Sequence, residues 1–460
     1  MKTIIDPPQA LAAGLQQIRV EFGVPAAFPP QVLAAAEAAA ARRPSQHVDR
    51  TDRPFVTLDP AGSTDLDQAF AIETGGADLI LHYAIADVAW FVGDGDPVDR
   101  EAWTRGETLY LPDGKAPLYP PVLGEAAASL LPDGARPAVV FTVRVARDGS
   151  VALDGVERAL IRSRAKLAYD RVTAADLPAG FDALAARIAA AETARGAARV
   201  DPPQQEVEAA SGGGYTLGFA PRLASEEQNA ALSLATNMAV AAALQAHGTG
   251  LFRVMAPPDA RAVARLRHAA LALGLTWPAD EPLEQFTRTL NGGNPKHAAF
   301  MLAVRRAGQG ASYVPFRPGV VPWHAAMAAT YCHATAPLRR LADRYVVQAA
   351  LAVANGRPVP DAVAAAFAKL PPVMARADAV AGRIGRAVVD LAEAAMLASR
   401  IGQDFAAVVI DTDEHGARIQ LRDEAVVARL DASGLGPGDA VTVRLTAADP
   451  AKRLVTFAPL

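Results

Sequence analysis

The spacing of apolar residues changes character twice along the chain, and this change restricts the fold more than any other feature of the sequence. Residues 8–22 and 30–43 carry helical patterns, broken by Gly23-Val24-Pro25 and by Phe28-Pro29-Pro30. From Pro54 the pattern turns to strands, with Phe55-Val56-Thr57-Leu58 running into Asp59 and a second apolar run at residues 79–85. Further strands are expected at 138–145 and 151–161, followed by long alanine-rich helices over 183–244 and 335–400. The last sixty or so residues return to short strands, at 405–411, 417–421, 426–430, 440–445 and 453–457, with Gly- and Asp-bearing turns between them. The reading is an α+β chain in three parts. Residues 1–50 form a short helical segment, for which a helix-turn-helix is one arrangement, and whose second helix is expected to pack on the main domain. Residues 51–400 form a large domain of sheet and packed helices, and residues 401–460 a small OB-type β-barrel.

Composition sets limits on function. With 460 residues and 51% hydrophobic content, the chain can bury a large core and should divide into domains. The stretch richest in apolar residues, 230–244, carries Asn237 midway and falls short of the roughly 20 apolar residues of a membrane span, and residues 1–30 show no leader pattern. A cytoplasmic, membrane-free protein is therefore expected. Cys332 is the one cysteine, so neither an intramolecular disulfide nor a cysteine-based metal centre can form. Beside His333 it is read as a structural pair, with nucleophilic catalysis as the alternative. A net charge of −4 argues against a surface coated by nucleic acid and confines any such site to a local basic channel.

Three carboxylates, Asp59, Asp65 and Asp67, lie within one short stretch directly after a strand. Converging carboxylates repel and raise one another's pKa, so such a loop calls for a divalent cation, and hard oxygen donors favour magnesium, with manganese as an alternative. A solvated acidic turn is the competing interpretation. The segment Thr335-Ala336-Pro337-Leu338-Arg339-Arg340 reads as a helix start, with Thr335 as cap, Pro337 just inside and Arg339 and Arg340 in the first turn. Guanidinium groups beside free backbone N–H groups would bind phosphate. Together the two segments supply what phosphodiester hydrolysis needs, a metal to activate water and arginine to balance charge on phosphorus oxygens.

Five blocks in order carry a resemblance: Asp59-x5-Asp65-x-Asp67, then residues 84–88 (AIADV), 105–112 (RGETLYLP), 163–170 (SRAKLAYD) and 335–340 (TAPLRR). Over residues 50–400 the chain resembles the catalytic domain of the ribonuclease II (RNB) family, and its tail resembles the RNA-binding OB-fold that follows that domain. The resemblance implies a metal-dependent exoribonuclease that removes 5′-mononucleotides processively from RNA 3′ ends, working as a monomer. It implies that Asp59, Asp65, Asp67 and Gln68 form the metal site, with Asp67 the most critical acid. Arg339 would stabilise the transition state and Arg340 would hold a phosphate. Tyr110 would stack on a base and Tyr169 would seat the terminal nucleotides, with Thr335 and Pro337 beside the RNA and Arg164 and Lys166 on its backbone.

The chain also departs from the family pattern. Gln68 stands where a fourth aspartate is usual, which implies weaker metal binding. Ala230-Ala231 replace glutamates that contact the RNA sugar, and residues 195–201 offer Val200 in place of a second clamping aromatic ring. A late-helix glutamate is missing near Arg386, with Asp390 or Glu393 as stand-ins. About fifty residues precede the catalytic part where the family commonly carries two OB-folds, which implies an open channel mouth and tolerance of RNA duplexes with a 3′ overhang. Two other functions compete: a catalytically weakened RNA-binding scaffold of the same fold, and a magnesium phosphohydrolase acting on small nucleotides.

Overall fold

The computed structural model describes residues 2–4, 10–197, 202, 204–210, 214–220, 223–308, 310–413, 416–432 and 434–460. Its centre is a seven-stranded sheet whose strands lie in the order Ser163–Ala168, Phe55–Asp59, Gln68–Gly75, Asp78–Ala86, Arg136–Val145, Val151–Ile161 and Val48–Asp49. Pairing is antiparallel through the middle and parallel at the two edges. The middle strands are buried almost continuously, as in Ala138–Phe141, because helices cover the sheet. Helices Ala224–Ala246 and Leu341–Ala354 both lie against Val151–Ile161 and against each other.

The short second helix, Pro30–Ala40, joins this core through Val32, Ala36 and Ala39, as its alanine-rich sequence suggested. The first helix, Ala10–Glu21, instead packs on the 37-residue helix Asp361–Leu397. Leu11, Leu15 and Ile18 meet Ile384, Val388 and Leu391 in a second core. Gly14 allows that approach, since a Cβ there would fall 2.6 Å from the Leu391 side chain. Each N-terminal helix is thus bound to a different partner.

The tail is a closed five-stranded barrel, ordered Asp404–Asp413, Gly416–Leu421, Val427–Leu430, Leu454–Pro459 and Ala440–Asp449. Alternate residues such as Ala417, Ile419 and Leu421 point inward, the period-2 pattern of a half-buried strand. Glu393 fastens the long helix to it: its Oε1 accepts from the Val427 N–H at 2.8 Å and from Gln205 Nε2 at 2.6 Å. Glu393, expected as a stand-in at the substrate, is thereby an anchor between domains. Among the described residues, no helix is long and apolar enough to cross a membrane.

Two expectations are corrected. The helical stretch 183–244 is interrupted: helices Phe181–Ala194 and Ala224–Ala246 are separated by a hairpin of Gln205–Ala209 and Tyr215–Phe219, to which Lys2–Ile4 adds a third strand. Nor does the segment from Thr335 start a helix. The helix begins at Leu341, with Arg340 extended at its N-cap. Ala336, preceding Pro337, is biased away from helical backbone. The segment's amide groups also find other acceptors: Ala336 N–H donates to Asp343 Oδ1 at 2.8 Å and Leu338 N–H to Asp67 Oδ1 at 2.7 Å. Of the expected clamp region, residues 198–201, Val200 included, lie outside the described residues.

Candidate active site

The acidic loop leaves the strand Phe55–Asp59 and returns as Gln68–Gly75. Its shape is set from the neighbouring segment. Leu66 N–H donates to Ser129 Oγ at 2.9 Å, Ser129 Oγ donates to the Thr64 carbonyl at 2.7 Å, and Ala86 N–H donates to the Asp67 carbonyl at 2.9 Å. Asp67 is buried, with Oδ1 on the Leu338 amide and Oδ2 3.5 Å from Arg339 Nε. Desolvation pushes its pKa up to about 7 against the opposing pull of Arg339. Desolvation likewise lifts Asp59 to about 6, again opposed by Arg339. The buried Oδ2 of Asp59 has no hydrogen-bond partner among the described residues. Arg339 therefore faces two carboxylates that are short of counter-charge.

Asp65 and Gln68 are placed differently. Asp65 Oδ1 takes Lys115 Nζ at 2.7 Å and Oδ2 takes the Tyr110 hydroxyl at 3.3 Å. The Gln68 carboxamide oxygen accepts from the Tyr83 hydroxyl and from Ser233 Oγ, and its Nε2 donates to the Thr335 carbonyl at 2.7 Å. Gln68, expected at the metal, is a tie between strand, helix and the Thr335 segment, because an amide both donates and accepts where a carboxylate would only accept. Among the described residues, no three His, Cys, Asp or Glu side chains form a ready-made metal-binding group. The Asp59–Asp67 pair nevertheless suits magnesium, which keeps several waters and takes one or two carboxylates plus substrate phosphates. The unpartnered, desolvated oxygen of Asp59 is the specific feature a hard cation would satisfy.

Beside these acids opens a cavity of about 400 Å³ lined by Asp59, Tyr169, Glu226, Asn229, Tyr331 and Arg339, among others. Gln68, Thr335 and Arg340 reach its wall as well. Tyr169 takes a 2.9 Å hydrogen bond from Asn229 Nδ2. Arg340 is committed to Asp343 through Nε at 3.0 Å and Nη2 at 2.8 Å. Asn237 holds the far wall, its Oδ1 accepting from Ala334 N–H at 2.9 Å and its Nδ2 reaching the Tyr331 hydroxyl at 3.1 Å. Cys332 is buried and donates to the Asn237 carbonyl at 3.3 Å, while His333 Nδ1 lies 2.6 Å from the Tyr313 hydroxyl, so both serve the framework.

The remaining expected RNA contacts lie outside this cavity. Tyr110 is 56% exposed on the hairpin Leu109–Leu111 and Gly114–Ala116. Arg164 Nη2 donates to the Thr51 carbonyl at 2.8 Å, and Lys166 Nζ to the Ala61 carbonyl at 2.9 Å, bracing the strand and the loop. A larger cavity, about 560 Å³ beside Met255, Leu283 and Val304, holds none of the expected site residues. Sequence reasoning missed Lys115, Glu226, Asn229 and Ser233. For the helix residues a signal existed: Asn229, Ser233 and Asn237 recur every four residues in an alanine-rich helix, an uncharged polar stripe on one face. Ala230, noted as a loss, lies in the same lining.

Residues 47–354 match the family model described as the RNB domain, and residues 403–460 the one described as the RNase II-type exonuclease C-terminal S1 domain. Ribonuclease R of Aquifex aeolicus is 25% identical over 453 residues, covering 92% of this chain and 63% of that protein. The chain thus spans under two thirds of that relative's length. Among solved structures, Mycoplasma genitalium RNase R with ribose-methylated single-stranded RNA superposes with a TM-score of 0.86 at 19% identity, covering 98% of this chain and 78% of that one. The same protein has been solved with double-stranded RNA, TM-score 0.84. Yeast Ssd1, described as a pseudonuclease, gives 0.69 at 16% identity, over 96% of this chain and 57% of the other.

Proposed function

The chain belongs to the RNB-domain family, and from that premise we propose that it is a magnesium-dependent, processive 3′-to-5′ exoribonuclease releasing 5′-mononucleotides from single-stranded RNA. The observation that carries this reading is the meeting of Asp59 and Arg339 on the wall of a nucleotide-sized cavity, with buried Asp67 3.5 Å from the same guanidinium. A bound magnesium, or manganese in its place, would activate water and balance charge on the leaving oxygen. The protein's own part is positional and electrostatic. Asp59 and Asp67 present carboxylates whose desolvation is relieved by a cation. Arg339, half exposed beside them, aims its guanidinium where charge builds on phosphorus oxygens. Tyr169 and Asn229 offer a ring and an amide to the terminal nucleotide. Tyr110, standing exposed, offers a stacking face that every base can use.

On this reading Asp65 acts from the Tyr110 hairpin side of the loop, and Gln68 keeps the loop in register. Thr335 lines the cavity and Pro337 follows it as a buried residue, while Arg164 and Lys166 brace the strand and the loop. An RNA duplex with a 3′ overhang is admitted as a further substrate, on the precedent of the Mycoplasma relative solved with double-stranded RNA. The enzyme would act as a cytoplasmic monomer. A test is to digest a single-stranded RNA and its DNA counterpart in magnesium, manganese and EDTA, and to identify the products. Release of 5′-mononucleotides from the 3′ end of RNA in either metal, and none in EDTA, supports the reading; internal cuts or metal-independent cleavage count against it.

The specific setting of Gln68 favours one second reading, a catalytically weakened RNA-binding scaffold. Its amide brings no charge and is engaged with Tyr83, Ser233 and Thr335. RNA bound tightly but left intact at every metal concentration is the result that selects it.

A further inference from the structure

Asp65 is held at both oxygens by one hairpin. Tyr110 and Lys115 are directly opposite each other in the antiparallel register of Leu109–Leu111 and Gly114–Ala116. Cross-strand partners project to the same face. Here that face meets the acidic loop: the Lys115 ammonium lies 2.7 Å from Oδ1 and the Tyr110 hydroxyl 3.3 Å from Oδ2. Lys115 also stands 3.2 Å from Glu125 Oε1, and the other Glu125 oxygen takes the Thr64 hydroxyl at 3.0 Å. The ammonium therefore sits between two carboxylates that would otherwise repel across the mouth of the loop, and both loop neighbours, Thr64 and Asp65, are tied into the same network. The side chains are largely screened from solvent, 21% exposed for Lys115 and 13% for Asp65. The Tyr110 ring by contrast is 56% exposed, and the hydroxyl contact with Asp65 is what fixes its tip over the loop.

We propose that Lys115 is a positioning residue of this active site: it is the standing counter-charge of Asp65, and through Asp65 it holds the Tyr110 ring as a stacking clamp for the RNA. This inference rests on the exoribonuclease reading and deepens it. It gives the three loop acids two different duties. Asp59, with an oxygen that has no partner among the described residues, and Asp67, buried beside Arg339, receive the divalent cation. Asp65, already neutralised by an ammonium group, anchors the clamp. Metal binding and base stacking are then joined through one loop without sharing a ligand.

The test uses the full chain in two binding measurements that need no turnover, followed by kinetics. RNA affinity is read by fluorescence anisotropy in EDTA for wild type, Lys115→Met, Lys115→Gln, Lys115→Arg and Tyr110→Ala. Mn²⁺ affinity is read by electron paramagnetic resonance, without RNA, for wild type, Asp59→Asn and Asp65→Asn. Lys115→Met, Lys115→Gln and Tyr110→Ala are each expected to weaken RNA binding about tenfold, the weight of one base stack, with Lys115→Arg restoring it. The Lys115→Met/Tyr110→Ala double variant is expected to be no worse than either single one. Asp65→Asn is expected to bind Mn²⁺ as wild type does, and Asp59→Asn to lose it. In kinetics, Lys115→Met should raise KM for RNA by the same factor while kcat at saturating RNA changes less. Unchanged RNA affinity in folded Lys115→Met and Lys115→Gln, or loss of Mn²⁺ binding in Asp65→Asn equal to that in Asp59→Asn, overturns the proposal. A wild type that binds RNA but never cleaves it sinks the exoribonuclease reading alone, since the binding measurements still decide the role of Lys115.

Discussion

Arg339 is the residue whose setting says most about the chemistry. Its guanidinium stands 3.5 Å from Asp67 and is half exposed, whereas its neighbour Arg340 is locked to Asp343 by two bonds. Two adjacent arginines thus differ in setting, one half exposed beside an acid and one held by a carboxylate of its own helix. Arg339→Ala is expected to lower kcat by about 10²–10³-fold, the cost of removing one preorganised donor from a developing oxyanion. KM for RNA should change far less, and steady-state kinetics on a short RNA separates the two. At this scale the sequence pointed to Asp59, Arg339 and Tyr169, which line one cavity, and to Asp67, which lies 3.5 Å from Arg339. It was uninformative about Lys115, because its effect depends on a cross-strand pairing that no local pattern announces. At Gln68 the structure adds what the sequence did not show, an amide bonded in both directions to Tyr83, Ser233 and Thr335.

At the scale of elements, the site depends on how the polar stripe of Ala224–Ala246 receives the segment that carries Arg339. Asn237 accepts the Ala334 amide and donates to the Tyr331 hydroxyl where that segment packs on the helix. Asn237→Ala leaves that amide buried without an acceptor, a loss of about 1–3 kcal/mol. Urea unfolding should register that loss, and because the Arg339 segment is released with it, RNA cleavage should fall as well. Variants that lose stability with full activity would contradict this coupling. The strands and the barrel were readable because half-buried strands impose alternation, as Ala417, Ile419 and Leu421 do. The Thr335 segment was not, because tertiary acceptors on Asp67 and Asp343 overrode a plausible local helix signal. The hairpin at 205–219 was missed within an alanine-rich stretch whose flanking helices dominate the composition.

Across the whole molecule, the barrel and the catalytic part are linked by a buried acid. Burial pushes Glu393 up to about 7 from its ordinary 4.5, opposed by its bonds to Val427 and Gln205. The folded chain therefore holds this proton more tightly than the unfolded one. Stability falls as pH rises from about 4.5, and the loss is complete above about 7. Glu393→Gln keeps an acceptor oxygen and removes the charge. It should match wild type below pH 4.5 and exceed it by about 3 kcal/mol above pH 7. Denaturant unfolding across that range checks the sign, and a variant weaker than wild type at high pH refutes it. The mixed sheet-and-helix core and the C-terminal barrel were legible from the changing hydrophobic period. The separate attachment of the two N-terminal helices was not, since Leu11, Leu15 and Ile18 reveal their partner only when the chain returns some 370 residues later at Ile384 and Leu391.

On the proposed function, Asp67, buried beside Arg339, enables metal-dependent removal of nucleotides from an RNA 3′ end. The most direct test is single-turnover digestion of a 5′-labelled RNA by wild type and Asp67→Asn, each in magnesium and in EDTA, with RNA binding measured alongside. Wild type is expected to shorten the RNA stepwise from its 3′ end in magnesium only, and Asp67→Asn to leave it bound but intact. Equal shortening by the variant, or shortening by wild type in EDTA, would contradict it.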